Sequence, residues 1–201
     1  MKSQHKSHLF VISGPSGVGK NTIINALMQR LDGLAYSVSH TTRRPRNGEI
    51  DGKDYYFVDE NTFKKMIEDG DFVEWARVYS DYYGTSFSGI KKKLAEGKDV
   101  VLDLDVQGGM NIRKHFENST LIFVIPPSLK ELKRRLKKRG MEEGLIEKRM
   151  SNIEFELKMA EKYDYIVLND VLEKAIKETE AIILSERCKT YKRVELLKSL
   201  I

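Results

Sequence analysis

At 201 residues, 40% apolar and 32% charged, the chain can build one soluble domain of ordinary size, with room for an inserted subdomain. Its formal charge of +5 favours anionic partners, such as nucleotides, nucleic acid or an acidic membrane surface, without choosing among them. A single cysteine, Cys188, excludes an internal disulfide and points to a reducing compartment, and the four scattered histidines leave no ligand pair for zinc.

The N-terminus is basic, but its apolar run, Leu9 to Ile12, is too short for a secretory leader. No run approaches the length a membrane span needs, so a cytoplasmic protein with no membrane partner is expected. "LFVIS" (9–13) predicts a strand buried on both faces, because its apolar residues are consecutive rather than alternating. It runs into "GPSGVGK" and then the helical pattern "NTIINALMQRL". The phosphate-loop pattern G-x-x-x-x-G-K-[ST] is met at Gly14, Gly19 and Lys20, but Asn21 stands where a hydroxyl residue belongs, and Thr22 follows it. Gly14, Gly17 and Gly19 permit a tight turn close to phosphate oxygens, and Lys20 supplies a mobile cation for the β- and γ-phosphates. A chance glycine-rich turn is the competing reading, but a strand before and a helix after are the context the motif requires.

Between about 37 and 92 the strand–helix rhythm breaks into short strand-like pieces rich in Tyr, Thr, Gly and Arg, which predicts a small inserted substrate subdomain. Within "SHTTRRPRNGEIDGKDYY", Arg43 and Arg46 are three apart and stiffened by Pro45, so forked donors can grip one phosphate, with Tyr55 and Tyr83 adding phenolic hydrogen bonds. A bare basic surface loop is the alternative there. "DVVLDLD" (99–105), "TLIFVIPP" (120–127) and "YDYIVLND" (163–170) predict three more buried strands. Asp103 and Asp105 fall on one side of the first of these, in the place where phosphate-loop enzymes hold the magnesium–water shell; capping of the next helix is an alternative for Asp105. "SLKELKRRLKKRG" and "IEKRMSNIEFELKMAEK" predict helices, with Leu129, Leu132 and Leu136 in one stripe and Arg135 and Arg139 one turn apart. The charged stretch 137–149 reads as irregular and suits a lid. The whole is an α/β pattern: a parallel sheet flanked by helices, with core segments 1–36 and 93–201 around the insert at 37–92.

"ISGPSGVGKNT", "SVSHTTRRPRNGEIDGKDYYFV", "FVEWARVYSDYYGTS" and "VVLDLDVQGG", in that order, closely resemble guanylate kinase, a nucleoside-monophosphate kinase of the P-loop class. The resemblance runs from about Leu9 to Arg187. It implies a P-loop NTPase-type fold, ATP as phosphoryl donor with Mg²⁺, and GMP or dGMP as acceptor. Relatives often read G-K-x-T, which makes Asn21 a tolerated variation and Thr22 the metal-side hydroxyl, together with Asp103 directly or through water. The loop Gly14, Pro15, Ser16, Gly17, Val18, Gly19, Lys20, Asn21 and Thr22 would wrap the ATP phosphates. Glu74 would accept the N1–H and N2–H₂ of guanine, with Ser39 and Thr85 near O6; spacing alone makes Glu74 only a polar residue on a strand. Asp103, Gln107 and Gly108 would border GMP, and Arg135, Arg139 and Arg149 would close over ATP phosphates. Asn169 would touch adenine, with a plain strand-end turn as the alternative. The lid departs from the usual acidic, hydroxyl-rich sequence and is about one residue shorter, which loosens the alignment of Arg149.

Two other classes stay in view. One is a kinase for a different phosphorylated acceptor, and the other a non-catalytic binding module, which typically lacks an intact loop. Nucleic acid is not expected as a partner, because the basic residues form discrete groups rather than a stripe. The amphipathic tail "CKTYKRVELLKSLI" can pack on the core or on another subunit, which leaves a homo-oligomer open.

Overall fold

The computed structural model of the chain describes residues 6–78 and 80–200; residues 1–5 of the basic N-terminus, Tyr79 and the last residue of the tail lie outside them. In chain order the elements are β1 (Leu9–Ser13), α1 (Lys20–Arg30), β2 (Leu34–Tyr36), β3 (His40–Thr41), β4 (Tyr56–Phe57), α2 (Glu60–Glu68), β5 (Phe72–Val78), β6 (Asp81–Ser86) and α3 (Phe87–Ala95). They continue with β7 (Asp99–Asp103), α4 (Val106–His115), β8 (Thr120–Ile125), α5 (Leu129–Lys138), α6 (Glu143–Ser151), α7 (Ile153–Ala160), β9 (Tyr165–Leu168), α8 (Leu172–Arg187) and α9 (Thr190–Lys198).

Five parallel strands make the main sheet in the order β2-β7-β1-β8-β9. Phe10, Val11 and Ile12 on its central strand are fully buried. Consecutive burial is what a two-sided sheet demands, and helices supply both covers. One apolar cluster joins Phe10 and Ile12 to α1, α5 and α8 through Ile23, Leu132 and Ile183; another joins Val11 and Leu102 to Ile90 of α3 and Ile112 of α4. The chain leaves β1 between β7 and β8, so the crevice at the carboxyl ends of these three strands opens where the strand order reverses direction.

A second, mixed sheet runs β4-β3-β6-β5, with β3 parallel to β4 and antiparallel to β6. Phe63 of α2 fills its interior, stacked between Phe72 and Tyr82. Its first strand after α2 also reaches the main core through Val73. Helix α3 lies across the expected boundary at 92/93 and packs Ile90 on the main sheet.

Three expectations need correction. The stretch 137–149 is not irregular: α5 continues to Lys138, Gly140 turns the chain at φ +75°, and α6 starts at Glu143. Glu143 reaches back across that turn to Lys133 at 2.7 Å and Lys137 at 2.8 Å, strapping the two helices together. The single helix expected over 146–162 is two, because Asn152 ends α6 and opens α7. Strand β7 stops at Asp103, and Asp105 is the cap of α4, accepting the Gly108 amide at 2.8 Å. Helix α9 packs beside the amino ends of the strands, where the Lys6 amide donates to the Lys192 carbonyl.

That end of the sheet carries a buried polar cluster. His8 lies 2.7 Å from the Thr120 hydroxyl and 3.7 Å from Glu186, and Glu186 pairs with Lys192 at 3.2 Å; Asp99 accepts from the His8 amide and from Arg187. Burial first, and then Lys192, lowers the His8 pKa from 6.5 to about 4, with Glu186 and Asp99 opposing. The unfolded chain therefore binds an extra proton between these values. Stability from this site is full above the unfolded pKa and is lost as pH falls towards the folded one, by about 3 kcal/mol in all. His8→Gln is expected to flatten the acid limb of stability, measured by urea unfolding from neutrality to about pH 4. An unchanged slope would remove His8 from the account.

Candidate active site

The loop after β1 is held by close packing from three sides. Gly14 has φ +143°, and a Cβ there would sit 2.3 Å from the Val124 carbonyl oxygen, so only glycine lets the loop start against β8. Asn169, buried after β9, donates its amide to the Val18 carbonyl at 2.7 Å. Arg135 of α5 spans from that carbonyl (3.3 Å) to the Asn169 carbonyl (3.0 Å), and Glu131 holds its Nε at 2.9 Å. Helix α1 starts at Lys20 with no side-chain cap, which leaves its first N–H groups for an anion. The Lys20 ammonium donates to the Gly14 carbonyl at 2.7 Å and lies 3.6 Å from Asp103.

Two clefts of about 460 Å³ each flank this loop. The first is lined by Gly17, Gly19 and Thr22 with Arg135, Arg139, Asn169 and Leu172. An apolar side chain, an amide and arginines beside a phosphate loop suit a nucleoside whose phosphates enter the loop. The second, more polar cleft is lined by the other face of the loop, from Gly14 to Asn21, with Glu74, Asp103, Asp105, Arg139, Arg149 and Glu156. Arg149 is hydrogen-bonded to the Ser16 hydroxyl.

Glu74 links this cleft to the second sheet. It accepts the Thr85 hydroxyl at 2.9 Å, and Thr85 lies 3.4 Å from the Ser39 hydroxyl. Burial raises the Glu74 pKa, against the Thr85 hydrogen bond, with Asp105 and Asp103 adding to the rise. Asp103 is raised by burial as well, and Lys20 opposes. Beyond this trio the expected phosphate-grip residues gather around one arginine. Arg43 stacks on Tyr55 at 5.3 Å, and Tyr83 packs edge-on to that ring at 6.0 Å. Both Arg43 forks go to Glu49 at 2.8 Å, and the Glu49 carboxylate also accepts the Arg46 amide; these bonds pull its pKa down to about 2. The Arg46 side chain is exposed.

Some expected neighbours are not brought together. Thr22 lines the first cleft, whereas Asp103 lines the second with Asn21. Helical spacing explains this: consecutive residues of α1 point about 100° apart. Gln107 is exposed on α4 and Gly108 is buried against Leu104, and neither lines either cleft. Several cleft-lining residues were not singled out by sequence, Lys138, Asp170 and Leu172 among them, and three polar ones bear on the second cleft and its arginine. Glu49 closes on Arg43, and Glu156 lines the polar cleft from α7. Tyr36, at the end of β2, is 44% exposed as a residue, and partial desolvation of its phenol, then nearby Asp103, Tyr55 and Glu74, raises its pKa. Each is one polar residue in a polar segment, and no spacing marks it.

The second cleft carries four carboxylates against Lys20, Arg139 and Arg149. No group of three or more His, Cys, Asp or Glu suited to a metal occurs among the described residues. Magnesium, however, is commonly held by one or two carboxylates and the substrate's phosphates, so Asp103 beside a phosphate loop fits it.

Residues 6–186 match the guanylate kinase family. The chain is 46% identical to the guanylate kinase of Caldanaerobacter subterraneus subsp. tengcongensis over 98% of its own length and 96% of that protein. It is 48% identical to that of Thermotoga maritima over 92% of its length and 89% of that protein. The crystal structure of guanylate kinase from Anaplasma phagocytophilum superposes with a TM-score of 0.72 at 32% identity, over all of this chain and 96% of that one. With its loop, its two clefts and these relatives in agreement, the chain belongs to the guanylate kinase family.

Proposed function

We propose that this chain transfers the γ-phosphoryl group of ATP to GMP, giving ADP and GDP by in-line displacement. ATP would lie with its nucleoside in the cleft of Asn169 and Leu172 and its phosphates along the loop to Lys20. GMP would lie across the second cleft, its base on Glu74 and Thr85 and its phosphate towards Arg43, Tyr55 and Tyr83. The observation that carries the reading is Glu74, a carboxylate that bonds a threonine in the small sheet and faces the same cleft as Lys20. Guanine presents two adjacent N–H donors to such a group, whereas adenine presents none.

The attacking atom is a phosphate oxygen, already anionic, so the site needs no histidine or serine base. Its task is to align two polyanions and to neutralise charge during transfer. Lys20, Arg139 and Arg149 line the space where this happens. Bound magnesium would add Lewis-acid neutralisation of the phosphates, with Asp103 holding it directly or through water and Asn21 on the same side. The GMP phosphate must displace Glu49 from Arg43, an exchange of one oxyanion for a stronger one. The small sheet and the α5–α6 hairpin are proposed to close over both nucleotides and exclude water.

A coupled ADP-release assay with GMP, dGMP, AMP, UMP, CMP and no acceptor tests this. GMP turnover is expected to exceed AMP turnover by roughly 10³-fold, with the acceptor-free rate lower still. Faster turnover with another nucleotide would overturn the assignment of Glu74.

A further inference from the structure

Among the described residues lining the polar cleft, one carboxylate oxygen is both buried and without a hydrogen-bond partner. Asp103 sits by Lys20, Glu74 accepts from Thr85, and Asp105 caps α4. Glu156 Oε2 is buried and has no hydrogen-bond partner among the described residues. A buried carboxylate oxygen without a donor is costly, and one that lines a ligand cleft is placed to accept a donor brought in when the ligand binds. Burial raises the Glu156 pKa; Lys20 and Arg149 oppose the rise and Asp105 adds to it, so these are the charges that face it.

Of the two cations, Lys20 is already committed to the Gly14 carbonyl and to Asp103. Among the described residues Arg149 hydrogen-bonds the Ser16 hydroxyl, and a guanidinium has five N–H donors in all. Arg149 also lies seven residues before Glu156 in the sequence, at the end of α6, which the break at Asn152 separates from α7, so the spacing of the two residues can change. A long arginine that must cross a transferring phosphoryl group gains from a second anchor on its far side, because a fork held at both ends keeps its plane.

We propose that Glu156 is a positioning residue, whose free carboxylate oxygen receives the Arg149 guanidinium when both nucleotides are bound and sets it against the transferred phosphoryl group. The inference rests on the ATP:GMP phosphotransferase reading. It separates stability from turnover, since the contact forms only in the loaded state.

Glu156→Gln is expected to lower kcat roughly tenfold with both KM values nearly unchanged, and to leave the Tm of the nucleotide-free protein equal or higher. In an Arg149→Ala background the same change should cost less than about twofold, because the partner is already gone. Full additivity of the two losses, a defect confined to KM, or a lower Tm in the nucleotide-free protein would each overturn the proposal. Absence of GMP turnover in the unsubstituted chain would overturn the phosphotransferase reading and this inference with it. Loss of coupling alone would overturn only the role of Glu156.

Discussion

Glu74→Gln is expected to reduce kcat/KM for GMP by roughly 10³-fold while leaving the nucleotide-free fold intact. The carboxylate can accept from both guanine donors, whereas an amide offers one acceptor and turns a second donor against N1–H or N2–H₂. That converts a hydrogen bond into a donor–donor contact in a partly buried place, where the penalty is largest. The Thr85 hydroxyl, 2.9 Å away, would lose an ionised acceptor at the same time. The variant should gain little activity on AMP, because the Gln amide can donate to adenine N1 but finds no N–H donor at C2 for its carbonyl. A pH signature accompanies the change. Glu74 is raised above its ordinary value by burial before guanine arrives, and the bound base favours the ionised form. GMP binding therefore expels a proton at acidic pH, so KM for GMP should climb as pH falls, and Glu74→Gln should lose that climb. Calorimetric titration in buffers of different ionisation enthalpy measures the proton directly. An unchanged selectivity in the variant would place guanine elsewhere.

The second large effect is at the loop. Lys20→Met should lower kcat by roughly 10³-fold or more, since one preorganised cation at a developing oxyanion carries about that much. GMP affinity should change little, because the Glu74–Thr85–Ser39 trio is held by its own hydrogen bonds and Lys20 by those to Gly14 and Asp103. The substitution also strips Asp103 of its neighbour at 3.6 Å. Burial already raises the Asp103 pKa, with Lys20 the opposing influence, so its removal should raise it further. Isothermal titration with GMP and single-turnover transfer, measured on one preparation, distinguish these roles. Weakened GMP binding equal to the loss in turnover would show that Lys20 serves the acceptor instead.

What the sequence could reveal followed from the range over which each pattern acts. Strands β1, β7 and β8 were readable because two-sided burial writes itself as unbroken Val, Ile and Leu; β9 carries the same letters but is a four-residue edge strand with Ile166 exposed, so the expectation of burial on both faces fails there. Strand β2 was not, since "LAY" is three residues with an exposed tyrosine at the edge of the sheet. The hairpin at 137–149 looked irregular because Gly140, Gly144 and paired glutamates dilute any helical stripe; only Ile146 is buried in α6. The loop and the arginine pair were readable because glycine, lysine and proline act locally. Glu49 and Glu156 were not, because their significance lies in what stands across a gap. Thr22 and Asn21 show the same limit in reverse: they are adjacent in sequence, yet one turn of backbone sends them to different clefts.

The strap of Glu143 over Lys133 and Lys137 bears on how the enzyme would respond to its surroundings. All three side chains are largely solvated, so the pairs are worth little and are screened by dissolved ions. A fastening this weak resists thermal jostling without opposing a nucleotide that pulls harder. Arg139 and Arg149 stand on either side of the turn it bridges, so ionic strength would tune how firmly the two helices that carry them are fastened.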